Sequence, residues 1–440
     1  MSSTPASLQS GQSDAHRPSA RRAAVAGGVG TMIEYYDFSL YGYLAIVLAP
    51  LFFPGDDPVV SLLSALAIFA GAYLVRPLGG IIFGHIGDRL GRRKALVIAL
   101  VSMGAASTLM GLLPTYETAG VFATVLLVVV RLLQGISAGG ELGGAMTLVA
   151  ESVPENERAR FGAYPAMGGN AGFALAAAVA GATTALVSDA ALDSWGWRVP
   201  FLLALPLTFV CLWFRLRVEE TFQATDDVVA RTRPPLGELV TRHHVPLMKA
   251  VGLAIATNGT AYIGLSYLSI HLVQELGYDK TPVYWIATGS IGLAALSMPM
   301  AGIVGDRIGH TRLAMAGLLA TAALSLPMMA LMGVDLWWAS VAYVVIMLAT
   351  VATQVAAYTI LPGLFPVELR YTGTAMGWNL GVVIAGGTAP FTALWLVETT
   401  GNSVAAAYFV WVAAAVGVMS VLSMMRGDRA LRVDMSTESP

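Results

Sequence analysis

Uninterrupted apolar stretches, each long enough to cross a lipid bilayer, follow one another along nearly the whole chain. A membrane-spanning helix needs about 20 such residues. Runs of this kind fall at 23–50, 59–83, 95–113, 120–150, 161–187, 199–217, 248–275, 283–303, 313–333, 336–361, 373–397 and 404–425. The expected fold is therefore an all-α membrane protein of twelve transmembrane helices. The fourth and tenth runs are long, which implies tilt or extension beyond the bilayer. Charged residues make up 12% of the chain against 56% apolar, with mean hydropathy +0.69; a soluble domain carries about 25% charge. The single cysteine, Cys211, lies in an apolar run and says nothing about redox compartment.

The runs divide into two related sets of six. G-H-I-G-D-R-L-G-R-R-K from Gly84 returns as G-I-V-G-D-R-I-G-H-T-R from Gly302, an offset of 218. P-E-N-E-R-A-R from Pro154 returns as P-V-E-L-R-Y from Pro366, an offset of 212. Internal repetition in an apolar chain is a mark of transporter folds. The expected organisation is a cytoplasmic tail (1–22), a six-helix bundle (23–217), a cytoplasmic linker without apolar period (218–246), a second bundle (247–425) and a short polar tail (426–440). Residues 1–22 lack an apolar core and read as a disordered tail rather than a signal peptide.

Basic residues set the orientation. With the N-terminus inside, the cytoplasmic segments carry Arg89, Arg92, Arg93, Lys94, Arg158, Arg160, Arg307, Arg312, Arg370 and Arg426, whereas the outer side holds Arg198 and Lys280. This excess of inside cations places both termini in the cytoplasm, in a multi-pass plasma-membrane protein. A net charge of −2 argues against a nucleic-acid partner; the expected contacts are membrane lipid, a small-molecule substrate and protons, for a chain working as a monomer.

Ionisable residues inside the apolar runs are costly and mark candidate sites. Glu34 and Asp37 lie one turn apart near mid-depth of the first helix, with Tyr41 a turn further on the same face. Glu141 sits inward on the fourth helix. These three acids are the candidate proton-coupling residues. Arg131, at similar depth on the fourth helix, is the expected cation, with Glu34 as its partner and the reverse assignment open. Two carboxylates so close cannot both be charged cheaply, so one is expected to carry the proton. Arg131 and Tyr41 are also candidate substrate ligands, together with Asn170, Asn258, Tyr262 and Gln354; the neutral side chains could equally bond helix to helix. Thr350 and Tyr358 share the face of Gln354. Arg76, before Pro77, reads as structural, snorkelling to the inner interface, and Trp378 reads as packing. Gly135, Gly139 and Gly143 form a close-packing face. G-I-S-A-G at 135–139 mimics a serine-nucleophile motif, but that motif needs a strand–turn–helix context, so packing is the reading here.

Taken together, E-Y-Y-D-F (34–38), R-P-L-G-G (76–80), D-R-L-G-R-R-K (88–94), R-L-L-Q-G (131–135), G-W-R-V-P-F (196–201), E-L-R-Y (368–371) and G-G-T-A-P (386–390) resemble the metabolite:proton symporter family of the major facilitator superfamily. The resemblance runs from about residue 25 to 425. It implies two six-helix bundles around a central cavity and uptake of a small carboxylate-bearing metabolite, an organic acid or a zwitterion such as betaine or proline. The energy source would be the proton gradient, with no cofactor, no metal and no enzymatic activity. It also makes the repeated turn a gate: Asp88, Arg89, Gly91, Arg92 and Arg93 in the first copy, Asp306 and Arg307 in the second. The Asp88 carboxylate would meet the N-terminus of the eleventh helix near Thr372, and the first copy, with its fuller basic run, would be the stronger gate. Proton-coupled export in the same superfamily is the alternative, an intramembrane enzyme or sensor a distant one.

Overall fold

In hydrocarbon no water is at hand for backbone N–H and C=O groups, so each apolar run has to close its hydrogen bonds within itself. In the computed structural model, which describes residues 7–90, 92–217, 235–366 and 369–437, every run does so as helix. The twelve are α1 (Ser7–Phe52), α2 (Pro58–Leu74, continued by Arg76–Leu90), α3 (Arg92–Gly111), α4 (Val121–Ala138, continued by Glu141–Ser152), α5 (Arg158–Leu186) and α6 (Arg198–Leu202 with Ala204–Arg217). The second set comprises α7 (His244–Tyr262, running on to Glu275), α8 (Lys280–Ile308), α9 (His310–Met332), α10 (Leu336–Gly363), α11 (Arg370–Gly381, continued by Ala389–Thr400) and α12 (Ala406–Thr437). Nine helices among the described residues are long and apolar enough to cross a membrane; α6, reached through a 40° bend after Asp189–Gly196, makes a tenth.

Local chemistry sets the starts. Pro58 opens α2, where its missing N–H is no loss, and the Asp57 side chain accepts from Val59 N at 2.8 Å. Asp335 caps α10 in the same way through Trp338 N. Gly309 joins α8 to α9 at φ +97°, a conformation that suits glycine, and it is the last glycine of the repeated turn.

Several boundaries differ from expectation. α1 begins at Ser7, so much of the stretch read as a disordered tail is helical; a helix already anchored in the membrane extends cheaply residue by residue. α12 likewise runs to Thr437. The linker, outside the described residues at 218–234, contains a helix, Pro235–Arg242, whose Leu239 is fully buried. α7 and α11 are interrupted by π-helical turns at Ile263–Tyr267, His271–Glu275 and Val382–Gly386.

Within each set the helices pack into a bundle, and the two bundles meet along α5 and α8, α2 and α11, and the Glu141–Ser152 part of α4 against α11. Small residues permit these approaches. A Cβ on Gly135 would meet the Ala72 carbonyl, and one on Gly139 the Arg76 carbonyl, so α4 lies directly on α2. Gly143 faces Ala375 across the interface between bundles. Ser137, at the centre of the serine-nucleophile mimic, donates to its own helix at Leu133 O (2.9 Å), inside this packing face.

Candidate functional site

Five helices converge on a small central pocket. Its walls are Tyr35 from α1, Ala166, Gly169, Asn170 and Phe173 from α5, and Thr257, Asn258, Ala261, Tyr262 and Leu265 from α7. Gln354 and Tyr358 of α10 and Trp378 of α11 complete it. The crossing of α5 over α1 makes this possible: Gly168 and Gly172 abut the backbone carbonyls of Gly28 and Met32, which brings Phe173 within 5.7 Å of the Tyr35 ring centroid. Phe173 meets Tyr262 edge-on at 5.5 Å, and Tyr358 meets Trp378 edge-on at 5.0 Å. No acid and no basic side chain lines the pocket.

Hydrogen bonds between the bundles flank the pocket on both sides. Towards the α1–α7 end, Tyr43 OH donates to Leu265 O at 2.7 Å, Tyr284 OH to Tyr43 O at 2.7 Å and Tyr73 OH to Tyr262 OH at 2.9 Å. One of these tyrosines, Tyr43, holds the π-turn of α7, whose Gly264 carbonyl accepts from Tyr343 OH. Such turns favour functional sites, since they loosen the regular ladder. At the opposite end, Asn379 Nδ2 donates to Gly139 O (3.2 Å) and Tyr371 OH to Gly140 O (2.9 Å).

The second copy of the repeated turn adds a contact between the bundles at the same end. Asp306 accepts from Ala159 N at 2.9 Å and Arg160 N at 3.0 Å, the first free N–H groups of α5. A carboxylate is favoured at that position by the helix dipole. Gly302, a turn earlier, lies against the Ala159 carbonyl, where a Cβ would clash. The turn thus needs glycine for approach and aspartate for the contact. The fuller basic run had marked the first copy as the stronger gate, yet the contact described is that of the second. Gly91 and the side chains of Asp88, Arg89, Arg92 and Arg93 lie outside the described residues, as does the side chain of Glu141. Asp306→Asn is expected to weaken the contact by about 0.5–2 kcal/mol. A cysteine at position 159 in a Cys211→Ser background should then react faster with an impermeant maleimide; an unchanged rate would reduce Asp306 to a helix cap.

Buried charge is concentrated beside the pocket, in the first bundle. Arg76 is 1% exposed and its Nη2 lies 3.9 Å from Glu34 Oε1. Its guanidinium stacks on Phe38 (4.2 Å) and Tyr73 (4.4 Å). The reading of Arg76 as an interfacial snorkel is corrected: α2 continues past it to Leu90, which leaves it inside the span. Arg131, fully buried, takes neither acid directly. It lies over Tyr41 (4.3 Å) and Phe38 (4.7 Å), and its Nη1 donates to Gln134 Oε1 at 2.8 Å. Gln134 Nε2 donates to the Ser107 hydroxyl (2.9 Å), which lies beside the Asp37 carboxyl. The expected Glu34–Arg131 pair is therefore replaced by two units, Glu34–Arg76 and a relay from Asp37 to Arg131.

Of the candidate substrate ligands, Asn170, Asn258, Tyr262 and Gln354 line the pocket; Arg131 and Tyr41 do not. Tyr41 donates to Ala65 O and serves as a platform for Arg131. Tyr35, Phe173 and Trp378 were missed as pocket residues. Tyr35 sat inside E-Y-Y-D-F, and Trp378, read as packing, lines the pocket instead.

Two helical bundles around an uncharged pocket, with buried charge set to one side, have the architecture of a membrane transporter. The profile described as "Major Facilitator Superfamily" matches residues 28–279 and again 250–433. The chain is 36% identical over 421 residues to the glycine betaine/proline/ectoine/pipecolic acid transporter of Dickeya dadantii, covering 92% of this chain and 83% of that one. It is 33% identical to the shikimate transporter of Escherichia coli over 93% of this chain and 96% of the other. The fold matches that of the xylose transporter of E. coli in a partially occluded inward-open conformation, with TM-score 0.71 at 16% identity over 92% and 97% of the two chains. The chain belongs to the major facilitator superfamily, in the branch of the betaine, proline and shikimate transporters.

Proposed function

We propose that this transporter is a proton-driven importer of a compact zwitterion that joins a nitrogen cation to a carboxylate. The pocket lining carries the reading: five aromatic rings, three neutral amides and no charged side chain. A desolvated ammonium over such rings gains about 0.5–2 kcal/mol, while a polyanion would find no cation there. The relatives named for glycine betaine, proline, ectoine and pipecolic acid share that chemistry.

Asp37 is the proposed proton carrier. It is 2% exposed, and Oδ1 has no hydrogen-bond partner. Losing the proton leaves a charge that Arg131 can neutralise through Gln134 and Ser107. Glu34 with Arg76 braces the neighbouring turn, and Glu141 is the second candidate carrier. Bundles 23–217 and 247–425 would rock about the pocket, with both termini and the 218–246 linker cytoplasmic. The turns at Asp88, Arg89, Gly91, Arg92 and Arg93 and at Asp306 and Arg307 would latch the inner side. One chain supplies pocket and closures, so a monomer suffices.

Proteoliposomes with an acid exterior should accumulate glycine betaine or proline, and a protonophore should discharge them. Preferential accumulation of shikimate or citrate would overturn the zwitterion reading. Uptake driven by ATP without a gradient would overturn the coupling.

A further inference from the structure

Two hydrogen-bond donors in the pocket have nothing to donate to. Asn170 on α5 is 2% exposed and Trp378 on α11 is 3% exposed, and neither Asn170 Nδ2 nor Trp378 Nε1 has a partner. The other two amides differ: Asn258 Nδ2 donates to Ala254 O at 2.8 Å and Gln354 Nε2 to the Thr350 hydroxyl at 3.0 Å. Buried polar groups are overwhelmingly satisfied in folded proteins. Donors left open on a pocket wall await an acceptor that arrives with the ligand.

We infer that Asn170 and Trp378 form an anion subsite that takes the carboxylate of the cargo, one N–H from each bundle. The corner formed by Tyr35, Phe173 and Tyr262 is left for the cationic end. This deepens the zwitterion reading and rests on it for the cationic end alone. Neutral donors suit a dry pocket, because they bind a carboxylate without adding a formal charge that a zwitterion would leave unbalanced. They also make closure selective. α5 belongs to the first bundle and α11 to the second, so a carboxylate held by both draws the halves together, and a cargo without one leaves them unbridged.

The test is equilibrium binding to the purified full-length protein with three probes. Glycine betaine carries both ends, choline keeps the trimethylammonium but has a hydroxyl for the carboxylate, and shikimate has a carboxylate without an ammonium. Trp378→Phe retains a ring and removes the N–H; Asn170→Ser shortens the other donor, and melting curves establish that each variant is folded. Each change should weaken glycine betaine by roughly 10- to 100-fold, the worth of a hydrogen bond to a charged group, and leave choline unchanged. Loss shared equally by choline, or no loss, would overturn the subsite, as would a wild type that prefers choline to both acids. A wild type that prefers shikimate, with that affinity falling in Trp378→Phe, would keep the subsite and remove the zwitterion reading.

Discussion

Asp37→Asn is expected to abolish uphill accumulation while leaving exchange of cargo across the membrane within about threefold of wild type. Asparagine matches the shape of the acid, so the neighbouring Ser107–Gln134–Arg131 chain keeps its geometry. It cannot gain and lose a proton. With one proton per cargo, one pH unit sustains about tenfold accumulation, since each unit is worth 1.36 kcal/mol. In the variant that ratio should fall to unity at every imposed gradient, whereas counterflow of labelled cargo should persist. Full accumulation in Asp37→Asn would exclude this residue and transfer the proton to Glu34 or Glu141. Arg131→Gln should behave differently. It removes the cation from a buried cluster in which Tyr41 and Phe38 are arranged around a guanidinium, and both accumulation and exchange should be lost.

Most of the fold was legible because the bilayer imposes a length and a polarity on each helix, and a sequence displays both. The interruptions were not. Nothing in I-G-L-S-Y distinguishes a π-turn from regular helix until Tyr43 and Tyr343 are seen taking the Leu265 and Gly264 carbonyls. The pocket was half legible. Asn170, Asn258 and Gln354 stood out as polar residues in apolar runs, whereas Phe173 and Trp378 resembled any membrane aromatic. Pairing was the hardest to read. Depth alone put Arg131 and Arg76 in the wrong relation to the acids, because the break after Leu74 and the crossing of Gly139 over the Arg76 backbone carry that side chain into the bundle.

The repeat now has a physical meaning as well. Three residues common to both copies of the turn have a use in the second: a glycine to approach α5, an aspartate to take its free N–H groups, and a final glycine at positive φ. The basic residues that differ between copies are Arg92, Arg93 and Lys94 against His310 and Arg312. Buried charge follows the opposite rule. Among the described residues it is confined to the first bundle around Phe38, whose ring contacts both guanidinium groups, so the two bundles share a frame but differ in content: buried charge in one, most of the pocket lining in the other.

Arg76→Gln should therefore be the most damaging single change to stability. Removing one member of a buried ion pair is worth about 3–5 kcal/mol, because the remaining charge faces an apolar interior. Here the loss adds to that of the stacking on Phe38 and Tyr73, and those rings would line a void. A sharply lower melting temperature in detergent and a reduced membrane yield are expected. Arg76→Lys keeps the charge but not the planar face that two rings embrace, so it should lie between the extremes. The decisive variant is Arg76→Gln combined with Glu34→Gln. If the 3.9 Å contact is a stabilising pair, removing both charges recovers part of the loss, and the double-mutant cycle yields a coupling of about 1–3 kcal/mol. Strict additivity of the two single changes would mean that Arg76 acts through its aromatic neighbours alone and that Glu34 is held by other contacts.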